Sequence, residues 1–194
     1  MKKQETEQTE ALKQKIMEAA IGEFNKKGLK FTMDDVSKSL SMSKKTLYTV
    51  FEDKEAMFFE MVDTCFDAIK ESERAVLADE NLDIVEKIRR IMIVLPDRYA
   101  GLDFRQIYSL KEKYPKIYQK LEKRLESDWE PTIQLLEQAM EEGKIKKVSV
   151  PVLKTMVEGS IELFLGRDVL IQNGMEYKEA LNKMMDIIMD GITI

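Results

Sequence analysis

The sequence predicts an all-α protein: an N-terminal three-helix head carrying a helix-turn-helix, joined to a C-terminal antiparallel helical bundle, about nine helices in all. Three observations predict it. Breakers are scarce, with 8 Gly and 4 Pro in 194 residues. Leu, Met, Ile, Glu and Lys recur at helical spacing along most of the chain. Residues 31–54 hold two short helical patterns around a serine-bearing turn, Ser41-Met42-Ser43, and the second pattern opens with Lys44, Lys45, Thr46 and Tyr48.

The elements follow in order from local signals. Leu12, Ile16, Ala19, Ala20 and Phe24 share a helical face, and Lys26, Lys27 and Gly28 supply cations and a stop, so a first helix is expected over about residues 10–27. Residues 1–9 are polar and read as a flexible tail. Thr32 precedes Met33 with Asp35 three positions on, a capping-box variant opening a two-turn helix whose inward residues are Met33, Val36 and Leu40. Ser43 is the expected N-cap of the third helix, anchored by Leu47, Val50 and Phe51. Asp53 then caps a long fourth helix, to about Leu77, with an apolar stripe wide enough to pack on both halves of the protein.

Beyond Asn81 the spacing predicts a helix over about 82–95, a break at Pro96 and a short helix near 103–112. Pro115 starts a helix expected to reach about Glu142, with Pro131 either kinking it or marking a boundary, and Gly143 ending it. Two last helices, about 150–172 and 177–191, are separated by Asn173-Gly174. The domains expected are a tail at 1–9, a helix-turn-helix head at 10–54 and a body at 55–194.

Composition narrows the chemistry. A 44% hydrophobic content is ample for a packed core. The start of the chain lacks the apolar run of a secretory signal, and the run Ile91–Leu95 falls far short of the ~20 residues a bilayer demands, so a cytoplasmic protein is expected. The lone Cys65 excludes an internal disulfide and any multi-cysteine zinc site. The absence of histidine removes imidazole acid–base pairs, His-activated nucleophiles and histidine metal ligands; carboxylate or lysine catalysis stays open but nothing in the sequence marks it, and no enzyme, metal or cofactor is expected. The net charge of -5 is uneven: residues 13–54 hold nine lysines against six carboxylates, leaving a small basic module on an acidic body.

The run Ile16-Met17-Glu18-Ala19-Ala20, with Phe24, Gly28, Thr32, Val36, Ser43-Lys44-Lys45-Thr46-Leu47-Tyr48, Phe51 and Lys54, resembles the N-terminal domain of TetR-type transcriptional repressors. The rest of the chain matches that family in length and helical rhythm. The resemblance implies a homodimer on palindromic operator DNA, with a ligand in the body moving the fourth helix and separating the two heads. It implies that Thr32, Tyr48 and Lys54 meet backbone phosphates, and that Ser43, Lys44, Lys45 and Thr46 meet bases or flanking backbone. Thr49 and Val50 stand where the family has an aromatic or basic residue followed by histidine. Thr49 stays a candidate contact and Val50 does not.

In the body, Met92, Leu95, Tyr99, Phe104, Tyr108, Trp129, Met140, Met156 and Phe164 include the mixture of methionine and aromatics that lines an adaptable pocket for a flat apolar ligand. Met92, Phe104, Tyr108, Trp129, Met156 and Phe164 are the candidate ligand residues. Arg98 and Arg105 are either surface cations or partners for an anionic ligand. Cys65 is either a redox-sensitive group or a small buried apolar residue. The last two helices are apolar over more than one stripe, which fits a homodimer interface through residues 150–192, with Gly159 and Gly166 permitting close approach. The expected function is a dimeric repressor released from operator DNA by a small hydrophobic effector. The alternatives are a DNA-binding regulator without such a ligand, or a helical enzyme or carrier with a vestigial head.

Overall fold

The first helix, α1, spans Lys2–Lys27, so the backbone is already helical through the stretch read as a polar tail. The structure is a computed structural model. It describes the backbone of residues 2–96, 99 and 104–194, and the side chains of those residues other than 2–8, 105, 106 and 108. Gly28, at φ 55°, ends α1 in the left-handed conformation that a side chain would resist, and a 3-10 turn over Gly28–Lys30 leads to the next helix.

Both short head helices start on the caps the sequence indicates. In α2 (Met33–Ser39) the Thr32 hydroxyl accepts from the Asp35 amide at 3.2 Å, while Asp35 Oδ2 accepts from the Thr32 amide at 2.8 Å, a reciprocal capping box. In α3 (Lys44–Val50) Ser43 Oγ accepts from the Thr46 amide at 3.1 Å. Leu47 is fully buried and locks α3 onto the head core of Ile16, Ala20, Phe31 and Val36. Asp53 Oδ1 accepts from the Ala56 amide at 2.7 Å and opens α4 (Lys54–Ala78), which runs out of the head into the body.

The body wraps α4. Asp83 caps α5 (Ile84–Ile91). Residues Phe104–Ser109 form a 3-10 stretch leading into α6 (Leu110–Lys113). The helix expected over about 116–142 is two helices, α7 (Pro115–Glu126) and α8 (Glu130–Glu141), because Pro131 occupies a first-turn position where its missing N–H costs nothing. Gly143, at φ 66°, stops α8. The helix expected over 150–172 also divides, into α9 (Val150–Gly166) and α10 (Val169–Gln172), and Gly174 at φ 60° precedes α11 (Tyr177–Ile192). Among the described residues there is no strand, only one isolated bridge between Ile145 and Thr193.

The α4 helix packs chiefly on α7 and α5. Ion pairs reinforce the first contact: Lys120 with Asp63, and Arg124 with Asp67 at 2.7 Å. At the end of α9 the close approach is made inside the chain. Gly166 lies against Tyr118 of α7, where an added Cβ would run into the phenol oxygen and sit 3.2 Å from Cζ. Gly166 is thus not the dimer-facing glycine the sequence suggested, whereas Gly159 has open space in front of it.

The Tyr118 hydroxyl is buried without a hydrogen-bond partner among the described residues, and burial pushes its pKa up to about 12. Gly166→Ala is expected to lower stability by about 1–3 kcal/mol through overpacking. Tyr118→Phe removes both the obstacle and the unpaired hydroxyl, so it should be neutral or stabilising alone and should restore the Gly166→Ala variant. Thermal unfolding of the double-mutant cycle checks this, and additive melting-temperature shifts would refute the contact.

Candidate nucleic-acid interface and body cavity

The face of α3 that opens outward carries the residues marked in the sequence. Ser43, Lys44, Lys45 and Thr49 are exposed, Tyr48 is 49% exposed, and Thr46 is half-buried with its hydroxyl 2.8 Å from Ser43 Oγ. Val50 is half-buried and packs on the core, consistent with its exclusion as a contact. Lys44 is not idle: its ammonium lies 2.9 Å from Asp34 Oδ1 on α2, and the same carboxylate pairs with Lys38 at 2.9 Å. These two lysines hold the Asp34 carboxyl below its usual range. Lys45 has no ion pair among the described residues, so the face presents one tethered and one untethered cation.

Two expected phosphate contacts are differently disposed. The Thr32 amide and hydroxyl both donate to Asp35 Oδ2, at 2.8 and 2.9 Å. Asp35 also pairs with Lys27 at 2.6 Å, and Lys27 first, then Thr32, lowers its pKa to about 2. The carboxylate is therefore charged, and this cap intact, at every pH well above that value; it is lost as pH falls from the ordinary carboxylate range through about 2. The Lys54 ammonium turns inward, donating to the Leu29 carbonyl at 2.7 Å and to the Phe31 carbonyl, and lying 4.3 Å from the Phe31 ring centroid. Burial lowers its pKa. Lys54 thus straps the start of α4 to the loop between α1 and α2 instead of projecting from the surface. The reason is local: two unpaired carbonyls and an aromatic face lie within reach of its stem.

A cavity of about 180 Å³ runs through the body beside α4, and its wall is mostly apolar. Met92, Phe104 and Trp129 line it as expected, together with Tyr99 and Leu95. The Tyr108 and Arg105 side chains, and Arg98 altogether, lie outside the described residues. Met156 and Phe164 are not in the wall. Met156 is 54% exposed on the outer face of α9, and Phe164 is half-buried elsewhere, because α9 turns Ile161 and Leu165 to the cavity. Met140 is likewise absent from the wall, and its sulfur accepts from the Val148 amide at 3.3 Å.

The sequence missed Phe66, Ile69, Lys70, Glu73, Leu121, Arg124 and Tyr177 as lining residues. The wide apolar stripe on α4 was the available signal for the first two. Cys65, a half-buried thiol, also lies in the wall.

Head and cavity share a wall. Phe24 of α1 and Phe58 of α4 both line the cavity, and their rings meet edge to face at 6.1 Å between centroids. Phe58 in turn stands 5.4 Å from Phe31 in the head and 5.4 Å from Tyr114 at the start of α7.

Residues 16–61 match the family model described as bacterial regulatory proteins, tetR family, which takes in α2, α3, their caps and the exposed lysine face. The head is a TetR-family helix-turn-helix domain. The chain is 25% identical over 167 residues, 86% of this chain and 88% of its relative, to the HTH-type transcriptional regulator YvaF of Bacillus subtilis. Over 126 residues, 54% of this chain and 66% of the other, it is 27% identical to IcaR of Staphylococcus aureus (strain Newman), a negative transcriptional regulator of the icaADBC biofilm operon.

The fold extends the likeness to the body. A TetR/AcrR-family regulator from Thermobifida fusca superposes with a TM-score of 0.66 over 93% of this chain and 98% of that one, at 19% identity. The chain is therefore similar, in head and in body fold, to helix-turn-helix transcriptional regulators of the TetR family. No described helix is long and apolar enough to cross a membrane.

Asp34 is the unexpected member of the candidate DNA-facing surface. It holds Lys44 with a negative charge that any approaching phosphate also meets. Asp34→Asn is expected to tighten DNA binding by about two- to fivefold, the range of an exposed ion pair. Fluorescence anisotropy at two salt concentrations checks it; weaker binding would mean that Asp34 positions Lys44 productively.

Proposed function

We propose that the chain is a dimeric repressor that binds palindromic operator DNA through α3 and is released by a small apolar effector held in the body cavity. One observation carries the link between effector and DNA: the cavity and the head share Phe24 and Phe58 as a wall. A ligand packed against those rings bears on α1 and on the start of α4, the helix that Lys54 straps to the head. Coupling is a matter of differential affinity. The effector weakens DNA binding only as far as it prefers the arrangement in which the two heads no longer match the operator, and DNA weakens effector binding by the same factor.

Serine 43, Lys44, Lys45, Thr46, Tyr48 and Thr49 are the proposed DNA contacts. Ser43, Tyr48 and Thr49 supply hydroxyls for phosphate, while Lys44 and Lys45 reach phosphate or guanine O6 and N7. Thr32 and Lys54 join them only after exchanging their present partners. Dimerisation is supported by apolar side chains left in solvent on the last helices. Val152, Met156 and Leu163 fall on one face of α9 with Gly159 between them, and Ile187 on α11 is 76% exposed. A two-fold axis would bury the same patch on both copies.

The reading without an effector has no use for the cavity. The enzyme reading finds no histidine in the sequence and no cluster of metal-ligating side chains among the described residues. Selection from a random duplex library by the purified protein tests the proposal: enrichment of an inverted repeat supports it, and enrichment of a single unrepeated site refutes the dimeric reading.

A further inference from the structure

Leu47 fixes which way α3 faces. It is fully buried, so its direction marks the head core and the opposite direction marks the groove. Each residue of a helix turns by about 100°, which puts Lys45 and Thr49 each about 20° from the direction opposite Leu47. Tyr48 lies about 80° from it and Lys44 about 120°. The apex of the outward face is therefore Lys45 with Thr49 one turn on, both exposed, and Tyr48 and Lys44 stand on its flank. Side chains at the apex of such a helix meet base edges, and those on its flanks meet the phosphates that wall the groove.

The Thr49 hydroxyl is already engaged. It donates to the Thr46 carbonyl, one turn back along α3, at 2.6 Å. A hydroxyl has a single hydrogen and a phosphate oxygen only accepts, so Thr49 reaches phosphate only by breaking that bond. The bond also orients the side chain. A threonine whose Oγ1 turns back to the carbonyl three residues earlier holds its γ-methyl away from that carbonyl, toward the open side of the helix. At the apex, one turn from the Lys45 ammonium, Thr49 thus offers a methyl group and no free donor.

We propose that Thr49 is a specificity-determining residue that reads the C5-methyl of a thymine, a group the major groove displays and cytosine lacks. This rests on the reading of α3 as the helix that enters the groove, and it adds which base is read and by what contact. Lys45 and Thr49 are separated by about 6 Å of helix rise, against about 3.4 Å per base pair, so the thymine falls about two base pairs from the guanine to which Lys45 donates.

Replacing thymine by deoxyuridine removes the C5-methyl and leaves every hydrogen-bonding group of the base in place. Fluorescence anisotropy of the full-length protein on the inverted repeat selected from the random library, with the thymines of both half-sites replaced one symmetric pair at a time, tests the proposal. At one pair the replacement is expected to weaken binding by about fourfold per half-site and about fifteenfold in all, the effect of one buried methyl on each side. Thr49→Ser keeps the hydroxyl and drops the methyl, so it should lose the same factor on the thymine duplex and be indifferent to deoxyuridine at that pair. Thr49→Val keeps a methyl without the hydroxyl and should retain the preference for thymine.

Indifference of the unaltered protein to deoxyuridine at every thymine overturns the proposal, and so does a selected half-site with no T·A pair within about two base pairs of a G·C pair. Full discrimination in Thr49→Ser, or its loss in Thr49→Val, also overturns it and returns the contact to the hydroxyl or to another residue. The variant carrying Lys44→Ala and Lys45→Ala separates this from the wider reading. If that variant fails to bind while deoxyuridine has no effect on the unaltered protein, α3 remains the reading helix and the Thr49 assignment goes. If it binds undiminished, both go.

Discussion

Replacing Lys44 and Lys45 together with alanine is expected to abolish operator binding while helix content and oligomeric state stay unchanged. Both side chains open α3 on its exposed face, and neither contributes to the head core, which Leu47 and Phe51 fill from the opposite side. Two protomers lose four cations. At about 1 kcal/mol or more for each direct contact the complex weakens by at least about a thousandfold.

The slope of log affinity against log salt should fall by about 3–4 units, as each lost phosphate neutralisation removes about 0.9. The single variants separate the roles. Lys45→Ala should show the larger loss, because Lys44 must first leave Asp34 while Lys45 has no ion pair among the described residues. Gel-shift and anisotropy titrations read both effects, and binding undiminished in the double variant would remove α3 from the interface.

What was legible in the sequence was the local grammar. Thr32 with Asp35, Ser43 with Thr46, and Asp53 with Ala56 are caps whose partners lie three residues apart, so spacing alone locates them. Proline at the first turn and glycine at positive φ act in the same way, which is why α2, α3, α4, the start of α7, the end of α8 and the start of α11 fall where the spacing puts them.

What was not legible depends on which neighbour arrives from far along the chain. Lys54 reads as a surface cation until the Leu29 and Phe31 carbonyls are folded beneath it, 25 and 23 residues away. Gly166 reads as an interface glycine until Tyr118 is packed against it. Met156 and Phe164 fail as cavity residues for a related reason: α9 is apolar on several faces, and periodicity cannot say which of them turns to the body and which to solvent. Arg124 was missed because an arginine near a helix C-terminus looks like a solvated cation, and only packing on Phe66 leaves its Nε buried.

The same ambiguity decides the test of the dimer. Ile188 is the natural choice from sequence, but it is only 8% exposed within the single chain, whereas its neighbour Ile187 is 76% exposed. The two substitutions should therefore separate folding from association. Ile188→Glu places an unpaired carboxylate in the chain's own core, and about 3 kcal/mol or more of stability is expected to go with it. Ile187→Glu leaves that core intact, so the isolated chain should melt within a few degrees of an unaltered monomer.

In the dimer, Ile187→Glu buries a charge on each side of a two-fold interface, and a dissociation constant raised about a hundredfold or more is expected. DNA binding should fail with it. A single head retains about half the contacts and loses the gain in effective concentration that a linked second head supplies, worth about 10²–10⁴ in affinity. Light scattering should then report monomers for Ile187→Glu, with anisotropy reporting weak binding of low sequence preference. A dimer that persists in Ile187→Glu combined with Met156→Glu would place the interface elsewhere and leave the exposed faces of α9 and α11 without an occupant.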